Sequence, residues 1–258
     1  MDISTIVRAL VSSYGLIAFK EFPQLIESPF DNIIIIKEIA SALSKYQGKF
    51  DDNDQVYAKS IVEAYANALD VKPLPVGGLS LARVIEYLSL KIDDVVWQRR
   101  MWLRLLKNPK YFVRRRFSRL LRDGLKQNEA DELWAIYDKT EDFEILRILV
   151  VSDPSIQFPI DAIDIVAETE GHGYLLSRAM AHMLYKFNLR QYNAFKKKYP
   201  IGVLYAAGFS NNINYIPTLR LTIRRSNDED TKKGAMWALA RLKDTKTIIE
   251  IARKYIGV

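Results

Sequence analysis

The sequence predicts an all-α protein, and three observations carry that expectation. Apolar residues return at i, i+3, i+4 and i+7 through most of the 258 residues, the period of a helix with one buried face. Glycine or proline separates many of these stretches, as at Gly48, Pro73, Gly77, Gly124, Pro154, Gly171 and Pro200. No stretch carries the two-residue alternation of a strand or the hairpin signal that goes with it. Helical stretches joined by short breaks predict antiparallel helix pairs.

In chain order, amphipathic periodicity places helices near 3–13, 32–46, 54–69 and 79–92. From Trp97 to Lys107, Trp97, Met101 and Leu105 with Trp102 and Leu106 form an apolar stripe, and Arg99, Arg100, Arg104 and Lys107 fall opposite. Asn108-Pro109 breaks that helix and can start the next, in which Val113, Phe117, Leu120 and Leu121 share a face against Arg115, Arg119 and Arg122. Further helices are expected near 129–138, 142–152, 160–169, 174–187, 189–199, 213–225, 230–242 and 245–256.

Charge is arranged in blocks. Residues 97–126 hold eleven Lys and Arg against Asp123 alone, a local charge of +10, whereas residues 127–170 hold twelve acids and two bases, a charge of −10. The first 96 residues sum to −4 and the last 88 to +11, for a net charge of +7 and a pI near 9.3. A basic block can grip a polyanion or neutralise its own neighbour. With no cysteine, disulfide and thiolate chemistry are excluded. No basic region precedes an apolar run at Met1-Asp2-Ile3, and no apolar run approaches the roughly 20 residues of a spanning helix. The expectation is a soluble cytoplasmic protein that does not engage a membrane.

A helix rhythm of this kind invites a search for repeats. Thr231–Asp244 followed by Thr245–Tyr255 resembles one HEAT repeat of the short bacterial kind. Ala235, Ala238, Leu239 and Leu242 stand at packing positions and Asp244 at the turn. Lys232 stands where that family prefers Arg, Thr231 replaces Val, and Lys243 replaces the turn Gly. A second copy is seen at Val113–Leu121 with Glu129–Tyr137, and a poorer third at Leu176–Leu184 with Leu189–Phe195. The resemblance implies an α-solenoid of stacked antiparallel helix pairs over 97–258. Residues 1–96, which show helices but no legible repeat, would be a less regular helical cap on one continuous domain. It also implies that the helix near 95–107 lines a concave groove, and that Arg114 ties adjacent repeats through an acid.

Catalytic signatures are missing from the sequence. His172 and His182, the whole imidazole supply, lie ten residues apart and off the i, i+4 spacing of a metal pair on a helix. Neither is followed by Glu, as the HEAT-like deoxyhypusine hydroxylases would require. Asp51-Asp52-Asp54 and Asp228-Glu229-Asp230 precede helices and read as caps. The sequence therefore predicts no cofactor, no metal and no catalytic set. The expectation is a non-enzymatic interaction module that takes an acidic protein partner in a basic groove, on Arg99, Arg100, Arg104 and Lys107 with Arg115, Arg119 and Arg122 behind them. The alternative is nucleic-acid binding, with Trp97, Trp102, Tyr111 and Phe112 as stacking groups beside the arginines. In size and basic charge the chain is similar to the HEAT-like alkylpurine DNA glycosylases, although that family's Trp-Asp motif cannot be placed on Trp97, Trp102, Trp134 or Trp237.

Overall fold

The computed structural model describes residues 2–71, 77–122, 124–159, 161–171 and 173–256. Among them the regular structure is entirely helical, as the periodicity predicts. The chain divides into two compact units, residues 1–121 and 122–258. No helix among the described residues is long and apolar enough to cross a membrane.

The first unit holds α1 (Ile3–Tyr14), α2 (Ile17–Glu21), α3 (Gln24–Glu27), α4 (Ile33–Leu43), α5 (Asp52–Asp70), α6 (Gly78–Ser89), α7 (Val95–Leu106) and α8 (Tyr111–Leu121). Every second helix packs on the next, α4 on α6 and α6 on α8, and α1 packs on α4. α5 and α7 pack on α6 and α8 in turn. α5 shows how the pattern sets the packing. Ala58, Ile61, Val62, Tyr65, Ala66 and Leu69 recur at helical spacing and are all buried. Asp51 caps its start by accepting from Asp54 N at 2.7 Å. The buried Tyr65 hydroxyl, which would be costly to leave unpaired, donates to Leu25 O at 3.0 Å and so holds α3 against α5.

The second unit holds α9 (Gln127–Thr140), α10 (Phe143–Val151), α11 (Ala162–Glu170), α12 (Tyr174–Leu184), α13 (Leu189–Lys198) and α14 (Gly202–Phe209), a 3-10 turn (Ile213–Tyr215), then α15 (Ile216–Arg225), α16 (Glu229–Arg241) and α17 (Thr245–Ile256). The same rhythm recurs, with α10 on α12, α12 on α14 and α14 on α16, and with α9, α11, α15 and α17 alongside. α14 reads Gly-Val-Leu-Tyr-Ala-Ala-Gly-Phe and has no polar face. Such a helix must be covered all round, and six of its eight residues are buried between α12 and α16. It lacks the one-sided periodicity that marks its neighbours, so the sequence reading passes over it. Gly208 permits a close approach of α14 to α16: a Cβ there would lie 2.9 Å from Ala238 Cα. Ala235, Ala238 and Leu239 on α16 and Leu242 at its C-terminal cap, placed at packing positions from the sequence, are buried.

Candidate functional site

The arginines of α7 and α8 divide by what they touch. Arg104 donates to Asn67 Oδ1 at 2.6 Å and pairs with Asp70 Oδ2 at 3.0 Å. Asn108 reaches Leu69 O at 3.2 Å and Asp70 Oδ1 at 2.9 Å, and Lys110 Nζ lies 2.9 Å from Val71 O. These three side chains close the end of α5, where carbonyls lack helical partners and the helix dipole favours cations. Arg104 is therefore engaged inside its own unit. On the same helix Arg99 is half-buried and Arg100 exposed, and Lys107 is exposed at its C-terminal cap. Arg114 Nη1 donates to Asn108 O at 2.8 Å, which fixes the start of α8 to the preceding turn. Arg122 is exposed just beyond α8, at the first position of the second unit.

Arg115 and Arg119 come together with Arg116 at a pocket of about 310 Å³ between α6 and α8. Leu79, Glu86, Tyr111 and Phe112 complete its lining. The spacing on α8 produces this arrangement, because 112, 115, 116 and 119 share one helix face. Arg116 is ion-paired to Glu86 across the two helices. Its Nε is buried and finds no acceptor among the described residues. Arg115 and Arg119 are exposed at the rim, and Tyr111 is 51% exposed beside them. Arg83 is exposed one turn from Leu79 on the same face of α6, and sequence reading overlooked it because it lies outside the basic block. The pocket joins two of the expected contact residues, Arg115 and Arg119. Those of α7 lie on another helix, with Arg104 turned to α5.

The aromatic residues separate in the same way. Trp102 is buried and donates to Ser89 Oγ at 3.0 Å. Trp97 donates to Glu63 Oε1 at 3.2 Å, with Lys59 Nζ 5.6 Å from its ring centroid. In the second unit Trp134 shares a surface pocket of about 420 Å³ with Asp131 and Asp138. Its indole is buried and makes T-shaped contacts with Tyr137 and Phe158, at 5.8 and 5.3 Å.

The acids expected to cap helices do so: Asp51 accepts from Asp54 N at 2.7 Å and Asp228 from Thr231 N at 2.8 Å; Asp94 also caps α7, accepting from Trp97 N at 3.0 Å. Asp244, at the turn between α16 and α17, receives both arms of Arg220 at 2.8 and 2.7 Å. That guanidinium holds the Asp244 carboxyl down at about 2. His182 is buried and stacked on Phe158 with centroids 3.7 Å apart, whereas His172 lies outside the described residues. No group of three or more His, Asp or Glu able to hold a metal ion occurs among the described residues.

Fold and site together define an all-helical chain with an arginine-rich surface pocket. No protein-family model, no curated protein and no solved structure matches it.

Proposed function

We propose that this chain is a non-enzymatic, HEAT-like helical-repeat module that binds an acidic segment of a protein partner at the pocket between α6 and α8. The observation that carries this reading is the Glu86–Arg116 pair inside the pocket. A carboxylate is already seated on one of three converging arginines, and Arg115 and Arg119 at the rim offer the same planar, bidentate chemistry to an incoming Asp or Glu. At about 310 Å³ the space suits one or two side chains. The alternation of every second helix in both units supports the repeat reading. The groove proposed here is centred on α8 and α6, with Arg100 the exposed contribution of α7; Arg99 and Lys107 complete the basic surface and Arg122 follows it in sequence.

Nucleic-acid binding is the second reading, favoured by Tyr111, whose exposed ring beside arginines could stack on an unpaired base. One titration separates the two. A fluorescent peptide rich in Asp and Glu and a single-stranded oligonucleotide are each titrated by fluorescence anisotropy at two salt concentrations. The expected result is saturable peptide binding that is lost in Arg115→Glu/Arg119→Glu. Oligonucleotide binding that exceeds the peptide's, with a steep log–log salt slope near −0.7 per neutralised phosphate, establishes the second reading. Absence of peptide binding at low salt overturns the first.

A further inference from the structure

A cavity of about 690 Å³ in the second unit lies where the α13–α14 turn meets α12, α14 and α16. It is walled by Tyr174, Ser177, Tyr199, Tyr205, Phe209 and Trp237, with Lys198 at its edge. The rings are ordered against one another: Tyr174 meets Phe209 edge-on at 5.4 Å, Phe209 meets Trp237 at 4.9 Å, and Tyr205 meets Trp237 at 5.0 Å. The close approach of α14 to α16 at Gly208 seats Trp237 here, since a Cβ on Gly208 would lie 2.8 Å from the indole. Both the volume and the largely aromatic lining are those of a small-molecule site, in the usual range of roughly 300–1,000 Å³.

The charge around the cavity selects the ligand. Two guanidiniums crowd the same ring, Arg178 Cζ at 4.9 Å and Arg241 Cζ at 5.6 Å from the Phe209 centroid. Neither forms an ion pair with a carboxylate among the described residues, and Arg178 Nε is buried without an acceptor. Arg178 spends its Nη2 on the carbonyls of Val151 and Ser152, both at 2.7 Å. Burial lowers the Arg178 pKa from its ordinary value; Tyr174 and Asp153 pull it back up, and the like charge of Arg241 adds to the lowering. Lys198 adds a third cation, paired with the exposed Asp164 at 2.8 Å, and Lys196 and Lys197 precede it on α13. Lys198 lines the cavity and the two guanidiniums lie against its Phe209 wall, so the nearby cations favour an anion over a cation.

We propose that the second unit binds a small planar aromatic anion, its rings packed between Tyr174, Tyr205 and Trp237 and its negative group drawn to Arg178, Arg241 and Lys198. This site is separate in sequence and chemistry from the pocket of α6 and α8 and does not depend on that reading. The test is isothermal titration calorimetry of the full chain with three compounds of one ring system: 1-naphthaleneacetate, 1-naphthalenemethanol and 1-naphthylmethylamine. The anion is expected to bind one-to-one, with the alcohol weaker and the amine weaker by at least about tenfold. Lys198→Ala/Arg241→Ala, at two exposed side chains, is expected to bring the three affinities together while the alcohol's is unchanged. Ile201→Trp, at the partly exposed mouth, is expected to fill the cavity and abolish all three, with a far-UV melt showing that it folds. No saturable binding of the anion, an amine that binds as tightly as the anion, or anion binding that survives Ile201→Trp in a folded protein would each overturn the proposal.

Discussion

His182 has a carbonyl oxygen at each ring nitrogen, Ile156 O at 3.0 Å from Nδ1 and Val150 O at 3.2 Å from Nε2. A neutral imidazole can donate to only one of them. Burial nonetheless wins and pushes its pKa down from 6.5 to about 4, against the pull of the two carbonyls. The folded pKa lies below the unfolded one, so the unfolded chain takes up the proton first. The stability held by neutral His182 is present above pH 6.5 and is lost as the pH falls toward 4. Between pH 7 and pH 5 the loss is about 2 kcal/mol. Thermal melts at those two pH values should show a lower Tm at pH 5, and His182→Gln should narrow the gap; an unchanged gap contradicts this assignment. Lys243 supplies a second case. It stands where the resembled repeat has glycine, and its φ of +62° is the left-handed conformation that glycine adopts freely. Lys243→Gly should raise stability by about 0.5–1 kcal/mol in urea unfolding, the relief of left-handed strain being partly offset by glycine's freer unfolded chain.

The closed end of α5 separates structural from surface arginines. Arg104→Ala removes a side chain from the terminal carboxylate and amide of another helix and should cost about 1 kcal/mol. Arg100→Ala and Arg119→Ala, at exposed positions without a partner among the described residues, should stay within about 0.5 kcal/mol. Equal losses in denaturant titrations would erase the distinction. The contact of α14 with α16 has no room for a methyl group, since Cβ at Gly208 would press on Ala238 backbone. Gly208→Ala should therefore destabilise by about 1–3 kcal/mol, measured by the same titration. α14 also shows where the sequence is opaque. An amphipathic helix announces itself by its polar side, and a helix covered on all sides leaves only an apolar run. The aromatic cavity is walled by that helix and by the α13–α14 turn, so it could not be assembled from periodicity. The Arg115–Arg119 face was legible because its polar side repeats at i, i+4.

Over the whole chain, the charge blocks hide their own compensation. Arg104 and Arg116 find their acids at Asp70 and Glu86, 34 and 30 positions upstream and two helices away. A count along the chain sets +10 beside the following −10 and gives no sign of this. By unit, residues 1–121 carry +5 and residues 122–258 carry +2. Net charge alone could attract an acidic peptide, and a matched control removes that effect. Arg100→Glu/Arg115→Glu/Arg119→Glu and Lys233→Glu/Lys246→Glu/Lys254→Glu each bring +7 to +1. Only the first should lose peptide binding in the anisotropy titration; equal loss in both would make the attraction a property of the total field. The helix order itself was legible from the 3.6-residue period, while the every-second-helix packing within residues 1–96 was not, because that stretch shows no repeat and its packing is set by shape rather than by spacing. The same packing rhythm in the second unit bears on biogenesis. Most native contacts join segments close in sequence, a low contact order that favours rapid folding. Other helices in this pattern also wait for a later partner, but α14 has no polar face: α12 is already made when it leaves the ribosome, α16 is not, and its second side stays bare until residues 229–241 follow. A chain stopped after α15 would carry that apolar side permanently and should fall to chaperones or aggregate.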